Sequence, residues 1–365
     1  MSNAFAQAII AWQKQYGRHD LPWQHTTDPY AIWVSEIMLQ QTQVAAVIGY
    51  YANFMARFPS ISVLANATQE EVLQSWSGLG YYSRARNLHN AAQKIMDKFG
   101  GVFPANFNDI LNLPGIGRST AAAISTFALN QPQPILDGNV KRVFARYFNI
   151  AGFTNAQKVV QSMWQIAERE NPTNPQHAII YTQGLMDLGA TLCTQTKPRC
   201  VECLMNIGCQ AYANKEVHLL PTPKLKKSIP QKQTIMLILL KADEVMLEKR
   251  PQTGIWAGLW SLPEIELTDI ATEIVFNKFG ITAEVEETLP IVNHAFTHFK
   301  LDIYPQPLQV ISQNPQVNQA ANVWLPISEA IEAAIPTPVR NILLSLIKKG
   351  SPINNLGCLF KTKPL

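Results

Sequence analysis

Four cysteines crowd into one short stretch as Cys193-x6-Cys200-x2-Cys203-x5-Cys209. Thiolates gathered on one loop can enclose a soft metal centre. A zinc ribbon shows two close cysteine pairs, and here only Cys200 and Cys203 are close. The uneven spacing suits the corners of a cubane and favours a 4Fe–4S cluster, with structural zinc as the alternative. Lys197 and Arg199 lie inside the loop, where they can face phosphate. Glu36 is the second chemical feature. At helical spacing its neighbours are Ile32, Trp33, Leu39 and Gln40, and no Lys or Arg lies within four positions. Burial would raise the pKa of such a carboxyl towards that of a general acid near neutral pH; the alternative is a solvated surface Glu.

Two further motifs bear on the backbone of a polyanion. Leu113-Pro114-Gly115-Ile116-Gly117 precedes a helical stretch. Gly115 and Gly117 permit a tight turn whose amides point outward at a helix N-terminus, which suits phosphate, and Arg118 adds charge. An ordinary interhelical turn has the same look. Asp137-Gly138-Asn139 stands before another helical stretch, and Lys141 and Arg142 follow in the same turn. Asp137 is either a plain N-cap or a second carboxylate placed near a developing cation, and the two basic residues are candidates to hold phosphate.

These residues need elements to position them. Helix-period apolar positions recur in residues 30–41, 44–58, 69–77, 84–99, 119–129, 140–148 and 159–171, separated by short Pro and Gly breaks. The pattern changes at 214–233, which holds Pro221, Pro223, Pro230, Lys224, Lys226 and Lys227 and reads as a linker. Beyond it the period shifts towards two. Strands are expected at 234–240, 245–249, 288–292, 300–304 and 321–325, with a helix at 270–279 closed by Gly280. The expected organisation is therefore an all-α domain at 1–213, a linker at 214–233, a smaller α+β domain at 234–350 and a tail at 351–365. A chain cut within 221–230 is expected to leave a folded front half.

The balance of composition is globular: charged residues are 15% and the hydrophobic set 47%. Residues 1–230 hold 19 Lys and Arg against 13 Asp and Glu, and the remainder 11 against 13. A basic front fits contact with a polyanion, or is ordinary scatter. The start has no basic segment before an apolar run, and 235–240, the longest later apolar stretch, is far too short to span a bilayer. Clustered cysteines without an export signal point to a reducing cytosol; Cys358 stands alone in the tail.

Taken in order, the Gly-rich turn, the Asp some twenty residues on and the four-cysteine loop resemble the helix–hairpin–helix glycosylase superfamily. Within it, Leu39-Gln40-Gln41-Thr42-Gln43-Val44, Gly78-Leu79-Gly80-Tyr81-Tyr82, Leu136-Asp137-Gly138-Asn139-Val140-Lys141-Arg142 and Met186-Asp187-Leu188-Gly189-Ala190 resemble the MutY-type adenine DNA glycosylases. The likeness covers nearly the whole chain and is most specific in residues 18–209.

The resemblance implies a fold, a reaction and a set of roles. The fold would be a helical glycosylase domain, with a six-helix part about 29–130 and a cluster-bearing part formed by 1–28 and 131–213, followed by a Nudix-like domain. The reaction would be removal of adenine mispaired with 8-oxoguanine or guanine in double-stranded DNA, by a cytoplasmic monomer with one 4Fe–4S cluster and no membrane contact. Glu36 would be the acid and Asp137 the ionised carboxylate. Arg18, Trp23, Ser119 and Gln183 would line the adenine pocket, and Gln41 and Tyr81 would enter the base stack. Ser119 stands where the related endonuclease III has its nucleophilic Lys, which implies a glycosylase without an efficient lyase step. In the back half, 272–278 keeps a single Glu of the Nudix metal helix, so this domain would read a base and not hydrolyse nucleotides. Its reading loop would be Phe296-Thr297-His298, with Thr where Ser is commoner and a hydroxyl retained. The competing readings are an endonuclease III-like lyase, against which Ser119 argues, and a non-catalytic lesion binder, against which the presence of both carboxylates argues.

Overall fold

The computed structural model describes residues 4–224, 228–314 and 322–348. Cys358 and the tail from 351 lie outside the described residues. The chain divides into two compact units, one made of 4–67 with 86–224 and one made of 68–85 with 228–314 and 322–348.

The first unit is helical. In chain order it carries α1 (Ala4–Tyr16), α2 (Pro29–Leu39), α3 (Val44–Arg57) and α4 (Ile61–Asn66). After α5 (Gln69–Ser75), which belongs to the other unit, come α6 (Ser83–Phe99), α7 (Phe107–Leu111), α8 (Arg118–Leu129) and α9 (Gly138–Tyr147). The unit ends with α10 (Gln157–Glu170), α11 (Pro175–Thr191) and α12 (Gln210–Ala213). One core gathers Phe5, Ile9, Val140, Phe144, Tyr181 and Leu188 from α1, α9 and α11. Burial of a side chain of this size stabilises by about 1.5–3 kcal/mol each, so the packing of these three helices is what fixes the site between them.

Periodicity marked α2, α3, α6, α8, α9 and α10 of this unit, and α5 of the other, and passed over α1, α4, α7 and α12 as well as the long helix α11. Ala178, Tyr181, Thr182, Gly184, Leu185, Asp187, Leu188 and Gly189 are all buried, so no polar stripe alternates with an apolar one. Gly189 shows how closely α11 is packed: a Cβ there would lie 2.6 Å from Cβ of Asn139 at the start of α9. The stretch after α12 also differs from a free linker. Leu220 is buried, its carbonyl accepts from Nε of Arg146 at 2.8 Å, and Thr222 Oγ1 accepts from the Gly152 amide at 3.0 Å.

The second unit is a mixed sheet with helices packed against it. Its strands are β1 (Gln231–Lys241), β2 (Glu244–Lys249), β3 (Trp260–Ser261), β4 (Glu264–Ile265), β5 (Ile281–Val285), β6 (Val292–Ala295), β7 (Lys300–Gln313) and β8 (Asn322–Pro326). The main path runs β3-β2-β1-β7-β5, with β4 on β1, β6 on β7 and β8 on β2. β1 and β7 are parallel from Gln231↔Lys300 to Leu240↔Gln309. α13 (Ala271–Phe279) buries Val275 and Phe279 against the sheet and ends, as expected, on Gly280 in the left-handed region at φ 64. α14 (Ile327–Glu332) and α15 (Thr337–Lys348) close the unit. The strand expected at 288–292 is a correction. Most of that stretch is irregular, with Leu289 donating to the Pro305 carbonyl, and the pairing strands lie on either side as β5 and β6.

Residues 68–85 pack with this sheet unit although they sit within the front half of the sequence. Gln74 Nε2 donates to the Glu332 carbonyl at 2.9 Å, and Ser77 Oγ donates to that of Ile335 at 2.9 Å. Nη2 of Arg340, on α15, reaches Ser77 Oγ at 3.1 Å, and Glu70 pairs with Lys249 at 3.0 Å. A chain cut within 221–230 keeps 68–85 and loses these partners, so the stand-alone front half expected from the sequence does not follow. Among the described residues no helix is long and apolar enough to cross a membrane.

Candidate active site

α2 delivers Glu36. The helix is started by Asp28, whose side chain accepts from the Tyr30 amide at 3.0 Å, with Pro29 at its first position. Its other faces are buried, from Ile32 and Trp33 through Ile37 and Met38, so Glu36 stands partly covered in an apolar helix. Desolvation, and then the nearby charge of Asp137, pushes the Glu36 carboxyl up to about 8. Asp137 caps α9, its Oδ1 accepting from the Val140 amide at 2.7 Å. Burial raises its carboxyl too. The amides of Val140 and Asn139, and then the charges of Arg142 and Lys141, offset only part of that rise. The helix N-terminus favours the anion in the same sense. Burial thus raises both carboxyls, Glu36 far enough to hold its proton at neutral pH, while only Asp137 has amides and cations that favour its charged form. That is the division of roles used where an acid and a stabilising anion act on one bond.

Both line a cleft of about 1530 Å³ within the first unit. Arg18, Trp23, Gln41, Ser119, Gln183, Lys141 and Arg142 line it as well. Trp23 is buried edge-on to Tyr51, with ring centroids 5.4 Å apart. Ser119 Oγ accepts from the Leu136 amide at 3.0 Å, and Gln183 Nε2 donates to Asp187 at 3.0 Å. Gln41 is exposed with φ 56, a left-handed conformation uncommon for a non-glycine. Tyr81 belongs to the second unit. It too is left-handed, at φ 49, and the Arg84 guanidinium lies 5.5 Å from its ring centroid.

The basic and glycine residues divide by what the protein itself asks of them. Gly115 is left-handed at φ 78, and a Cβ there would lie 2.7 Å from Cβ of Asn87. Gly117 caps α8, and a Cβ there would meet nothing within 4 Å. Arg118 pairs with Glu168 at 2.7 Å and lies 3.8 Å from the Trp164 ring centroid. Lys141 Nζ donates to Asn155 at 2.7 Å. Arg142 is bound to the protein: it donates to the carbonyls of Gly189 and Cys193 at 2.6 and 2.8 Å and to Asn139 Oδ1 at 2.7 Å. It ties the start of α9 to the cysteine loop.

In that loop Cys193 follows α11, Cys200 opens a 3-10 turn, Cys203 closes it and Cys209 precedes α12. All four line one cavity together with Leu188, Leu192 and Met205, and none is in a disulfide. Burial, with the mutual repulsion of the cysteines among the further causes, raises the thiols of Cys200, Cys209 and Cys203, the last to about 11. Four cysteine sulfurs lining one cavity are a donor set that fits a thiophilic cationic group, which would hold them as thiolates. Buried Arg146 holds the loop from below. It donates to Cys193 Sγ at 3.3 Å, to the carbonyls of Thr194 and Gln195 at 2.7 and 3.0 Å, and to that of Leu220.

The second unit carries Phe296, Thr297 and His298 in the turn between β6 and β7, closed by the Phe296 amide on the Phe299 carbonyl at 2.9 Å. Phe299 stacks on Phe296 at 4.5 Å, and Trp256 and His294 pack on Phe296 at 5.4 and 4.7 Å. Thr297 and His298 are exposed at the tip.

Residues 34–169 match the model of the HhH-GPD superfamily of base excision DNA repair proteins, and 234–345 match the NUDIX domain. An adenine DNA glycosylase of Buchnera aphidicola is 37% identical over 341 residues, covering 93% of this chain and 96% of that protein. The chain belongs to the adenine DNA glycosylase family. The human adenine DNA glycosylase is 30% identical, covering 93% of this chain and 73% of that protein. As a member of this family the chain is a base excision repair glycosylase, and hence a hydrolase. The structure of a thermostable thymine-DNA glycosylase superposes with a TM-score of 0.53 at 30% identity, over 57% of this chain and 95% of that one. That of endonuclease III in a non-covalent DNA complex gives 0.50 at 19% identity, which shows a shared fold.

In this family member, two side chains central to the site went unmarked in the sequence reading. Asp187 stands out in the sequence only as part of a motif, yet it is fully buried behind Arg18 and Gln183, which line the cleft. Arg146 is not among the site residues expected from the sequence. Arginine in place of an apolar residue on the buried side of α9 is the signal that would have found it.

Proposed function

We propose that this chain hydrolyses the N-glycosidic bond of adenine mispaired with 8-oxoguanine or guanine in double-stranded DNA. The observation that carries the reading is the Glu36–Asp137 pair, two carboxyls in one cleft, Glu36 raised to about 8 and Asp137 beside amides and cations that favour its anion. Adenine leaves the duplex for the cleft. Glu36 gives its proton to N7, and the C1′–N9 bond breaks with its electron pair going to the base. Asp137 stabilises the oxocarbenium-like sugar. Water adds at C1′ and its proton returns to Glu36, leaving an abasic site. The logic parallels that of glycosidases, with two carboxylates in opposite states. Ser119 offers no amine for a Schiff base, so strand cleavage should need added alkali.

The test is single-turnover excision from A:8-oxoguanine and A:G duplexes, with and without alkali. Adenine release with breakage only in alkali is expected; breakage without alkali would favour the lyase, and no release a lesion binder. Thr297→Ala should lower the preference for 8-oxoguanine about tenfold, since a good base contact is worth about 1–3 kcal/mol.

The rate should also follow pH. Glu36 works protonated, so release should fall as pH rises through about 8. On the acid side it should fall again once Asp137, which works ionised, takes up a proton. A rate flat across about two units either side of the alkaline midpoint would remove Glu36 from the acid role.

The cysteine loop would hold a 4Fe–4S cluster through Cys193, Cys200, Cys203 and Cys209. When bound, such a group supplies a rigid cationic core that fixes the loop. Among the described residues no three His, Cys, Asp or Glu side chains close tightly enough for a single metal ion. All four cysteines nonetheless line one cavity, and their uneven spacing in the chain, with one close pair rather than two, supports the cubane over zinc. Purified protein should be brown with about four irons per chain, and Cys200→Ser should lose the colour and bind DNA weakly. Colourless protein with one zinc and full activity would reject the cluster.

A further inference from the structure

Asp187 lies on α11 one turn beyond Gln183, fully buried. It accepts from the Arg18 amide at 2.9 Å, from Arg18 Nε at 2.8 Å and Nη2, and from Gln183 Nε2 at 3.0 Å. A carboxylate gripped by a guanidinium can only accept hydrogen bonds. Gln183 must therefore turn its NH2 group towards Asp187. Its Oε1 takes no hydrogen bond among the described residues, and Gln183 lines the cleft. What the cleft offers at this point is an acceptor.

We infer that Asp187 is a positioning residue that sets base specificity: it locks the Gln183 amide with the carbonyl oxygen towards the substrate, selecting a 6-amino purine over a 6-oxo purine. The amino group of adenine donates to that oxygen. The O6 of hypoxanthine or guanine is itself an acceptor and would leave two oxygens facing each other. A site built around one donor–acceptor match rejects the mismatched base strongly. Arg18 then acts through Asp187, since its guanidinium is held there. The inference rests on adenine being the excised base.

Single-turnover rates on duplexes carrying adenine, hypoxanthine or unsubstituted purine opposite guanine test it. In Asp187→Asn the new amide can donate to Gln183 as well as accept from it, so the orientation is no longer fixed. The adenine-to-hypoxanthine rate ratio should fall about tenfold or more, with a much smaller change on unsubstituted purine. Gln183→Met keeps the bulk and loses the acceptor, so it should give the same fall. The double variant should lower the ratio no further. A purely structural Asp187 would slow all three substrates together and leave the ratio at its wild-type value, and that result overturns the inference. A wild-type ratio in Gln183→Met overturns it equally. Absence of adenine release by the wild-type protein would instead sink the proposed function on which it rests.

Discussion

Glu36→Gln is expected to abolish adenine release while leaving binding to the mismatched duplex nearly intact. Gln fills the same space in α2, so neither the helix nor the cleft should change. What it cannot do is supply a proton. The carboxyl of Glu36 is pushed up to about 8 by burial and by Asp137, so at neutral pH it carries the proton the departing base needs. General acid catalysis is worth about 10²–10⁴ in rate, and more where the leaving group departs only when protonated. Single-turnover rates and mismatch affinity, measured side by side, separate the two effects. A rate within about tenfold of wild type would remove Glu36 from the chemistry.

Asp137→Asn should also cripple excision with substrate still bound, and here the structure sharpens the alternative. Asp137 is an N-cap, with its Oδ1 2.7 Å from the Val140 amide. Asn caps a helix as well as Asp does, so a purely structural role predicts an active variant of normal stability. The electrostatic role predicts a folded but slow one. Removing a single stabilising group from a water-poor site costs about 10²–10³ in rate, and loss of a full charge opposite a developing cation should cost at least that. Single-turnover excision with a thermal melt of the same preparation decides between them. A normal rate counts against the mechanism.

The proposed catalytic pair was legible from sequence because each member is locally odd. Glu36 is a carboxylate with no cation in reach on an apolar helix, and Asp137 stands at a helix start. What joins them was not legible. They are far apart in the chain and are joined through a series of helices: α2 packs on α8, α8 on α11, and α11, which has no polar stripe to betray it, on α9, closely at Gly189. The charged side chains were harder to read. Arg142 and Lys141 looked like a phosphate grip, yet Arg142 is hydrogen-bonded to Gly189 and Cys193. Composition records a positive charge and does not record which carbonyls claim it. The left-handed backbone at Gln41 and Tyr81 was equally invisible, since neither is a residue that favours that region.

Residues 68–85 carry a consequence for how such a chain can be inherited. A domain that is a continuous run of sequence can be exchanged by one join in a linker. Here α5 and the turn bearing Tyr81 are encoded upstream of the cysteine loop, while Ser77 is held by Arg340 and Ile335 near the other end of the described chain. A single crossover between the two halves of related genes would bring together a Ser77 and an Arg340 that had never been selected as a pair. Where the parents differed at either position, the joined product would lose that hydrogen bond. The two halves are thus constrained to change together, and the sheet unit cannot drift freely as an accessory while 68–85 stays fixed.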